Sequence, residues 1–552
     1  MKKRLHQLTL TLMAIVIVVA GCTSDEEKKV SHLEKGKAYL ENEEYKSAEL
    51  EFRNAIQIDP EFVDAHVQLG ETYLKLGNPQ GAFREYSQVA KLDPENMDAA
   101  LKLATFFMLA KKTEESRQRV DAVLAKEPNN IEALYLAAGL HSLENNLFEA
   151  AAIFEKILEL DSTQIRARIG LARIYASQGK FDAAEAQLVS AVEVDPKAVN
   201  PRLELARFYT GRKDLPKARA QIEKAIELNP ENGDLQVVLG NFFFQTKDND
   251  AAEQAYLKAI AVNPDDVKPY MVTAGFYEAT GQTEKTREMY EKALAVKPDD
   301  VNIMTAMAGF YLKQNQVPEA EQVLAKVVDA RPNYFPARMM QGEIAVSKRA
   351  LAEAITIFDQ LIKEEPNAAR AHYMKALAHL GKGEVQLGKS SLVKAIELDP
   401  KNPQARLLMA QTAMRERDFK TAETESREIL AIDANNGPAQ LMLGNALMAQ
   451  RKAADAEAAF NAYILKNPED PAGYYRLGLL QRATRRNEPA MASFDKALSL
   501  NPKLMDVLTQ IVLLHDAEKE FEAALQRCDA QLEIVGDSAI HVAIIYSLKG
   551  GV

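Results

Sequence analysis

Residues 29–62 read KVSHLEKGKAYLENEEYKSAELEFRNAIQIDPEF, and the same pattern returns every 34 residues along most of the chain. Each copy has two runs of apolar residues at helical spacing, and a proline follows the second run. Twelve such prolines stand 34 or 68 residues apart: Pro60, Pro94, Pro128, Pro196, Pro230, Pro264, Pro298, Pro332, Pro366, Pro400, Pro468 and Pro502. Ser162 and Ala434 fill the two doubled gaps, so fourteen repeats follow without insertion from residue 29 to residue 504.

Small residues occupy two fixed places in every repeat. The eighth place is glycine or alanine in all fourteen repeats, and the twentieth is alanine, serine, threonine or glycine. Two small residues twelve positions apart, on either side of a turn, allow two helices to approach closely. A leucine-sized side chain at either place is expected to overpack the contact by about 1–3 kcal/mol. Gly77, Gly179 and Gly281 mark turns between helices, and each closing proline ends the second helix.

The repeat resembles the tetratricopeptide repeat, although no copy carries the tryptophan often found early in that family's pattern. The family's residues are nearly complete in the first copy: Gly36, Tyr39, Ala48, Phe52, Ala55 and Pro60. The resemblance implies an all-α, right-handed superhelical solenoid with a long concave face and no separate domains. Residues 505–538 form a degenerate repeat, and residues 539–552 stop after one predicted helix. Because that helix is largely apolar, we expect the natural chain to continue past Val552 or this end to dock on a partner.

The first 21 residues are predicted to be a secretory signal peptide. Basic residues at 2–4 precede an apolar core of 13 residues, 8–20, which spans only about 20 Å as a helix. The end of this segment, Val19-Ala20-Gly21-Cys22, resembles the lipobox of bacterial lipoproteins. The resemblance implies a lipid on Cys22, with residues 22–28 as a short polar tether at the periplasmic face of the outer membrane. A plain signal peptide cut after Ala20 and an uncleaved anchor are the alternatives.

Composition and charge exclude several classes of protein. The chain has 552 residues, of which 47% are hydrophobic and 27% charged, which is typical of globular proteins and not of disordered or multi-spanning ones. Its net charge of −11 lacks the basic footprint that nucleic-acid binding requires. Two cysteines cannot form a disulfide framework.

No motif predicts catalysis, a cofactor or a metal. Residues 383–390 match the G-x-x-x-x-G-K-[ST] phosphate loop, but the repeat places Gly383 at a turn and Lys389 and Ser390 on the second helix of repeat 11. Because a phosphate loop must follow a strand, we predict no nucleotide site there. The histidines lack metal-ligand spacing, except that His372 and His379 lie seven residues apart. The chain is therefore predicted not to be an enzyme.

Binding is expected on the concave face. In tetratricopeptide-repeat proteins that face is formed by the first helix of each repeat, at its second, fifth, ninth and twelfth to thirteenth places. The fifth-place row is almost wholly apolar here, where members that bind chaperone tails carry lysine, and most of the row is expected to pack within its helix pair. Repeats 5 to 7 add basic and amide side chains, which are suited to carboxylates. The candidate binding residues are Tyr135, Arg166, Arg173, Asn200, Arg207, Asn241, Phe244, Tyr373 and Tyr475.

Three functional hypotheses follow. The first is a lipid-anchored, non-catalytic envelope scaffold that binds protein partners, similar to the repeat lipoproteins that accompany exopolysaccharide export and exosortase-type protein sorting. In the second, the same groove binds an anionic polysaccharide directly. The third makes this chain the repeat region of a longer glycosyltransferase-like enzyme whose catalytic domain follows Val552.

Overall fold

The computed structural model describes residues 24–536 and 538–552. The predicted signal peptide (1–21) and the lipid-attachment residue Cys22 lie outside the described residues. Within the described part the chain forms 31 α-helices and no strand, so the predicted all-α fold class is confirmed. In that part, no helix combines the length and the apolar character needed to cross a membrane.

The helices follow the 34-residue period closely. From α3 onward each repeat has a first helix of 13 residues and a second of 14, except that α30 has 15. In chain order they are α1 (Asp25–Glu41), α2 (Tyr45–Ile58), α3 (Val63–Lys75), α4 (Pro79–Leu92), α5 (Met97–Leu109), α6 (Thr113–Lys126), α7 (Ile131–Leu143), α8 (Leu147–Leu160), α9 (Ile165–Ser177), α10 (Phe181–Val194), α11 (Val199–Gly211), α12 (Leu215–Leu228), α13 (Gly233–Gln245), α14 (Asn249–Val262), α15 (Val267–Ala279), α16 (Thr283–Val296), α17 (Val301–Lys313), α18 (Val317–Ala330), α19 (Phe335–Ser347), α20 (Leu351–Glu364), α21 (Ala369–Gly381), α22 (Val385–Leu398), α23 (Pro403–Arg415), α24 (Phe419–Ile432), α25 (Gly437–Ala449), α26 (Ala453–Lys466), α27 (Pro471–Ala483), α28 (Asn487–Leu500), α29 (Met505–Ala517), α30 (Phe521–Val535) and α31 (Ala539–Gly551).

The described part of the chain divides into two compact bodies, one that ends at Phe276 and one that begins at Tyr277. Within each body the two helices of a repeat pack against each other, and the second helix packs on the first helix of the next repeat. This stacking is what a solenoid of helical hairpins requires, because a single hairpin cannot bury its apolar face alone.

The small eighth-place residue faces the twenty-fourth residue of the same repeat. Where the eighth place is glycine, the twenty-fourth is always aromatic: Gly36 with Phe52, Gly70 with Tyr86, Gly240 with Tyr256, Gly342 with Phe358, Gly444 with Phe460, and Gly478 with Phe494. A Cβ on Gly444 would lie 2.3 Å from Phe460 Cε1, well inside van der Waals contact. Six of the eight alanine repeats carry a smaller residue there: Val120, Leu188, Ile222, Leu324, Leu392 and Ser426. The two places are therefore complementary in size.

The turn between the two helices is the same in all fifteen repeats that have one. The residue at the fifteenth place has φ between +58° and +82°, in the left-handed region. Only four of these residues are glycine, so the glycine pattern of the sequence identified a minority of the turns. The backbone N–H after this residue bonds back five residues, as Asn78 does to Tyr73 over 2.8 Å, which is a Schellman-type helix end.

The first helix begins earlier than the repeat pattern indicates. Residues 25–28, expected to belong to an extended tether, are the first turn of α1. Ser24 caps this helix, because its Oγ accepts the N–H of Glu27 at 3.1 Å while the Glu27 carboxylate accepts the N–H of Ser24 at 3.0 Å. This capping box, and the acidic residues 25–27 at the positive end of the helix, stabilise the helical form.

The last two helices keep the hairpin packing despite their degenerate sequence. Cys528 is buried in the core, and burial raises the pKa of its thiol. Ile545 is also buried, whereas Ile540 and Tyr546 on the same helix are exposed. The apolar outer face expected for α31 is thus present.

His66 on α3 is a histidine whose two ring nitrogens both face acceptors. Nδ1 lies 2.7 Å from Oε2 of Glu85, and Nε2 lies 3.0 Å from the carbonyl oxygen of Pro60. Only the doubly protonated ring can donate to both. Burial by itself lowers the pKa of His66, but these hydrogen bonds outweigh burial and raise the pKa above its ordinary value.

Since the pKa is higher in the folded state, the charged ring stabilises the fold below the ordinary histidine pKa of about 6.5. This contribution is lost as the pH rises through the folded-state pKa. We therefore expect His66→Gln to cost more stability at about pH 5.5 than at about pH 8, as measured by urea denaturation. His372→Gln is the control, because the His372 ring contacts the carbonyl oxygen of Pro366 and, among the described residues, no carboxylate. An equal cost at both pH values would contradict the prediction.

Candidate functional site

Three cavities lie in consecutive repeats of the N-terminal body. The first, of about 450 Å³, is formed by α7, α8, α9 and the start of α11. The second, of about 310 Å³, is formed by α9, α10 and α11, and the third, of about 380 Å³, by α11, α12 and α13. Arg173 lines the first and second cavities, and Arg207 lines the second and third. The three cavities thus form one surface, here called the arginine groove, and the predicted residues that line it are Tyr135, Arg166, Arg173, Asn200, Arg207 and Asn241.

A buried carboxylate holds the two central arginines. Glu204 on α11 is 8% exposed. Its Oε1 accepts Nη2 of Arg173 at 2.8 Å and also Nη1 of Arg207, and its Oε2 accepts Nε of Arg173 at 3.3 Å. Burial alone would raise the pKa of Glu204, but the two guanidinium groups outweigh it and hold the pKa below its ordinary value. The arginine side chains stay 64% and 70% exposed, so Glu204 fixes their position without covering them.

Arg166 and Tyr135 form one wall of the first cavity. The Arg166 guanidinium lies 4.3 Å from the centre of the Tyr135 ring. Tyr135 is 6% exposed, its hydroxyl donates to Oε1 of Gln164 at 3.0 Å, and burial raises its pKa. Its ring therefore supports Arg166 and offers little open surface for stacking. Glu132 lies 3.8 Å from Arg166, but both side chains are more than half exposed, so this pair is weak.

The other predicted residues of repeats 6 and 7 are Asn200, Asn241 and Phe244, and they differ in exposure and in contacts. Asn200 is exposed beside the first cavity. Asn241 lines the third cavity, and its Oδ1 accepts the Tyr256 hydroxyl at 2.7 Å. Phe244 packs edge-to-face on Phe276 with ring centres 5.4 Å apart, and it does not line any of the three cavities.

Tyr373 and Tyr475 belong to the C-terminal body and are not part of the arginine groove. Tyr373 is half-buried, and burial raises its pKa. The ring of Tyr475 packs 6.2 Å from that of Phe494, with the Arg476 guanidinium 5.7 Å from its centre. In the N-terminal body most of the fifth-place row is buried: Leu33, Leu101, Tyr135, Ile169 and Val237.

Of the larger side chains that line the second cavity, sequence reasoning identified only Arg173 and Arg207 and missed Phe181, Leu188, Glu204, Phe208 and Arg212. The Arg212 guanidinium lies 3.8 Å from the centre of the Phe181 ring. A signal for Glu204 was present, because the sixth place in repeats 4 to 13 is otherwise apolar or glycine. Phe181 and Arg212 lie at the inter-helix turn, outside the places that form the concave face in the family.

The phosphate-loop-like segment lies where the repeat pattern places it. Gly383 is a turn residue with φ +82°, and a Cβ on Gly388 would lie 2.6 Å from Cγ of Leu380. Lys389 Nζ pairs with Oε2 of Glu416 at 2.7 Å.

The two histidines of repeat 11 have separate hydrogen-bond partners, since His379 bonds Glu384 and His372 bonds the carbonyl oxygen of Pro366. Among the described residues, no three metal-ligating side chains cluster.

Models of the tetratricopeptide repeat match residues 36–77, 63–96, 339–388, 373–437 and 441–504. The repeats are tetratricopeptide repeats. A model of the C-terminal domain of cilia and flagella-associated protein 70 matches residues 95–333. No curated protein matches the sequence significantly. As a tetratricopeptide-repeat solenoid the chain has the fold of a protein-binding scaffold.

Similar solved structures include the crystal structure of yeast Tom70, with 16% identity and a TM-score of 0.38 over 78% of this chain and 97% of that one. The APC/C hetero-tetramer Cut9–Hcn1 has 15% identity and a TM-score of 0.36 over 90% and 98%. A tetratricopeptide repeat protein from Parabacteroides merdae has 17% identity and a TM-score of 0.36 over 45% and 98%.

Proposed function

We propose that this tetratricopeptide-repeat protein is a non-catalytic scaffold that binds protein partners in the arginine groove. The observation that carries the proposal is the joining of three cavities, one per repeat, by Arg173 and Arg207. An extended peptide presents side chains at regular intervals, and successive cavities along a groove are suited to receive them.

The lining favours a peptide over a polyanionic sugar. Each cavity has apolar walls, among them Phe154 and Ile169 in the first, Leu188 in the second, and Leu203 and Ile222 in the third. Apolar side chains of a peptide gain free energy by filling such space, about 1.5–3 kcal/mol for a full burial, whereas a hydroxylated sugar has less apolar surface to bury.

The charge of the groove favours an acidic partner. The chain as a whole carries −11, yet Arg166, Arg173 and Arg207 expose guanidinium groups along one surface. Two N–H donors of a guanidinium can bind both oxygens of a carboxylate, which makes arginine well suited to acidic side chains.

The absence of a nucleophile and base pair in the groove supports a non-catalytic role. Glu204 is the one carboxylate that lines the three described cavities, and it already binds two arginines. The same linings contain no histidine, cysteine or lysine. General acid–base or nucleophilic catalysis needs such groups within hydrogen-bond reach of each other.

We further propose that the protein is anchored by a lipid on Cys22 at the periplasmic face of the outer membrane. The apolar core at residues 8–20 and the lipobox-like Val19-Ala20-Gly21-Cys22 support this. Several acyl chains, each contributing about 0.8 kcal/mol per buried methylene, would hold the protein durably. A lipobox-like segment followed by uninterrupted repeats is consistent with a scaffold on which exopolysaccharide-export or exosortase-type machinery assembles.

Direct binding of an anionic polysaccharide is the second candidate. It is favoured by the exposed guanidinium groups of Arg173 and Arg207, which stand at the same place of adjacent repeats. A polysaccharide with one carboxylate per sugar unit could pair with such a row.

The test is in-cell photocrosslinking of the full-length protein with a benzophenone amino acid at Asn200. The matched position is Lys258, exposed on α14. We expect adducts from position 200 in the membrane fraction in which mass spectrometry finds peptides of a second protein, reduced at least about tenfold by Arg173→Gln with Arg207→Gln. The charge-matched control is Arg219→Gln with Lys224→Gln, which removes two cations that pair along α12.

Other outcomes of these experiments would favour the polysaccharide or contradict the groove site or the lipid anchor. Adducts that contain no second protein and whose added mass is removed by glycosidase would favour the polysaccharide. Equal adducts from positions 200 and 258 would contradict a groove site. In the same cells, Cys22→Ala should move the protein out of the membrane fraction. Unchanged membrane association of that variant would contradict the lipid anchor.

A further inference from the structure

The second cavity of the arginine groove differs from its neighbours in charge and shape. We propose that it is an anchor pocket for one aromatic or leucine side chain of a partner, flanked in the partner's sequence by acidic residues. This inference rests on the proposed peptide-binding function and adds the partner's chemistry. The pocket is lined by side chains of α9, α10 and α11 and by Arg212, which follows α11.

The size of the pocket suits a single side chain. Its volume of about 310 Å³ is at the lower end of ligand pockets, which begin near 300 Å³. Phe181 and Leu188 supply apolar walls from the second helix of repeat 5, and Phe208 supplies one from the first helix of repeat 6. Ala176 leaves this space open because its side chain is small. The same place holds a larger residue in other repeats, leucine in repeat 1 and methionine in repeat 3.

The rim of the pocket is positively charged. Arg173 and Arg207 pair with Glu204, and Arg212 lines the same pocket, so the lining carries three positive charges and one negative charge. Arg212 stacks on Phe181 and forms no ion pair with any described residue. Glu204 occupies Nε and Nη2 of Arg173 and Nη1 of Arg207, which leaves Nη1 of Arg173 and Nε and Nη2 of Arg207 for a ligand. Carboxylates on either side of the buried residue would meet these donors.

The third cavity provides an internal comparison, because it has the same construction without this charge. Val238 takes the place of Glu204, Asn241 the place of Arg207, and Thr246 the place of Arg212. Arg207 is therefore the one cation in its lining. Thr210 occupies the place that Ala176 has in the second cavity. A leucine at position 210 is consequently a matched control for a leucine at position 176.

The experiment measures fluorescence anisotropy of two labelled peptides with purified protein. In one peptide a single phenylalanine is flanked on both sides by glutamates, and in the other a serine replaces the phenylalanine. We expect the phenylalanine peptide to bind about ten- to a hundredfold more tightly, since binding removes the apolar surface of that ring from water. Ala176→Leu should remove this difference, whereas Thr210→Leu, which fills the adjacent cavity, should change the affinities of the two peptides alike and so preserve their ratio.

A charge variant tests the rim separately. Arg212→Gln should weaken the glutamate-flanked phenylalanine peptide several-fold and leave a glutamine-flanked version unchanged. Circular dichroism on each variant verifies folding, and leucine at the twelfth place already occurs in repeats 1 and 2. Equal binding of the phenylalanine and serine peptides overturns the anchor pocket and leaves the scaffold proposal standing. Absence of binding by both peptides overturns the anchor pocket and the acidic partner, and photocrosslinking at Asn200 then decides whether the groove binds protein at all.

Discussion

Replacement of Phe460 with alanine is expected to lower the free energy of unfolding of repeat 13 by about 3–5 kcal/mol. Phe460 on α26 is 0% exposed, and its ring lies against Gly444 of α25. Glycine has no side chain that could move into the space the ring leaves. The loss therefore combines the transfer free energy of the ring with the cost of an unfilled cavity.

Urea denaturation measures the loss, and hydrogen exchange locates it. Because the stability of a repeat protein is a sum of local and nearest-neighbour terms, protection should fall first in α25, α26 and the repeats beside them. Phe148→Ala on α8 is the control, since that ring is 78% exposed and its removal should change stability by no more than about 0.5 kcal/mol. Similar losses in the two variants would contradict the assigned packing.

The period of 34 residues was enough to predict the helix pairs and their phase. The prediction was possible because small residues, apolar faces and helix-ending prolines recur at fixed places. All three patterns indicate the same helix positions in each repeat. The turns were harder to predict. Lys213 and Arg349 adopt the left-handed conformation as Gly281 does, because the Schellman-type bonds of the helix end impose it on whatever residue stands there.

The candidate site was predicted in part. The family pattern identified the face that carries Arg173 and Arg207, and the structure joins both residues in one groove. It did not identify Glu204, whose role depends on an arginine 31 residues earlier in sequence. The pattern also could not predict that the Tyr135 hydroxyl donates a hydrogen bond to Gln164 or that the Tyr135 ring is buried. Such contacts depend on how neighbouring repeats stack, which no single repeat specifies.

The pairing of the eighth and twenty-fourth places leads to the second large effect. Gly342→Ala in repeat 10 would place a Cβ 2.6 Å from Cε1 and Cζ of the fully buried Phe358. Overpacking costs about 1–3 kcal/mol, and the better helix propensity of alanine returns roughly 1 kcal/mol. We expect a net loss of up to about 2 kcal/mol in urea denaturation, although alanine is the commoner residue at this place.

The adjacent repeats supply the rescue. Repeat 9 pairs Ala308 with Leu324, and repeat 11 pairs Ala376 with Leu392. Gly342→Ala combined with Phe358→Leu gives repeat 10 the pairing of both neighbours, so the double variant should be more stable than the sum of the single losses indicates. A double-mutant cycle measures this coupling, expected at about 1–3 kcal/mol. A coupling near zero would mean that the two places accept their residues independently, and that glycine stands opposite an aromatic ring in six repeats for some reason other than fit.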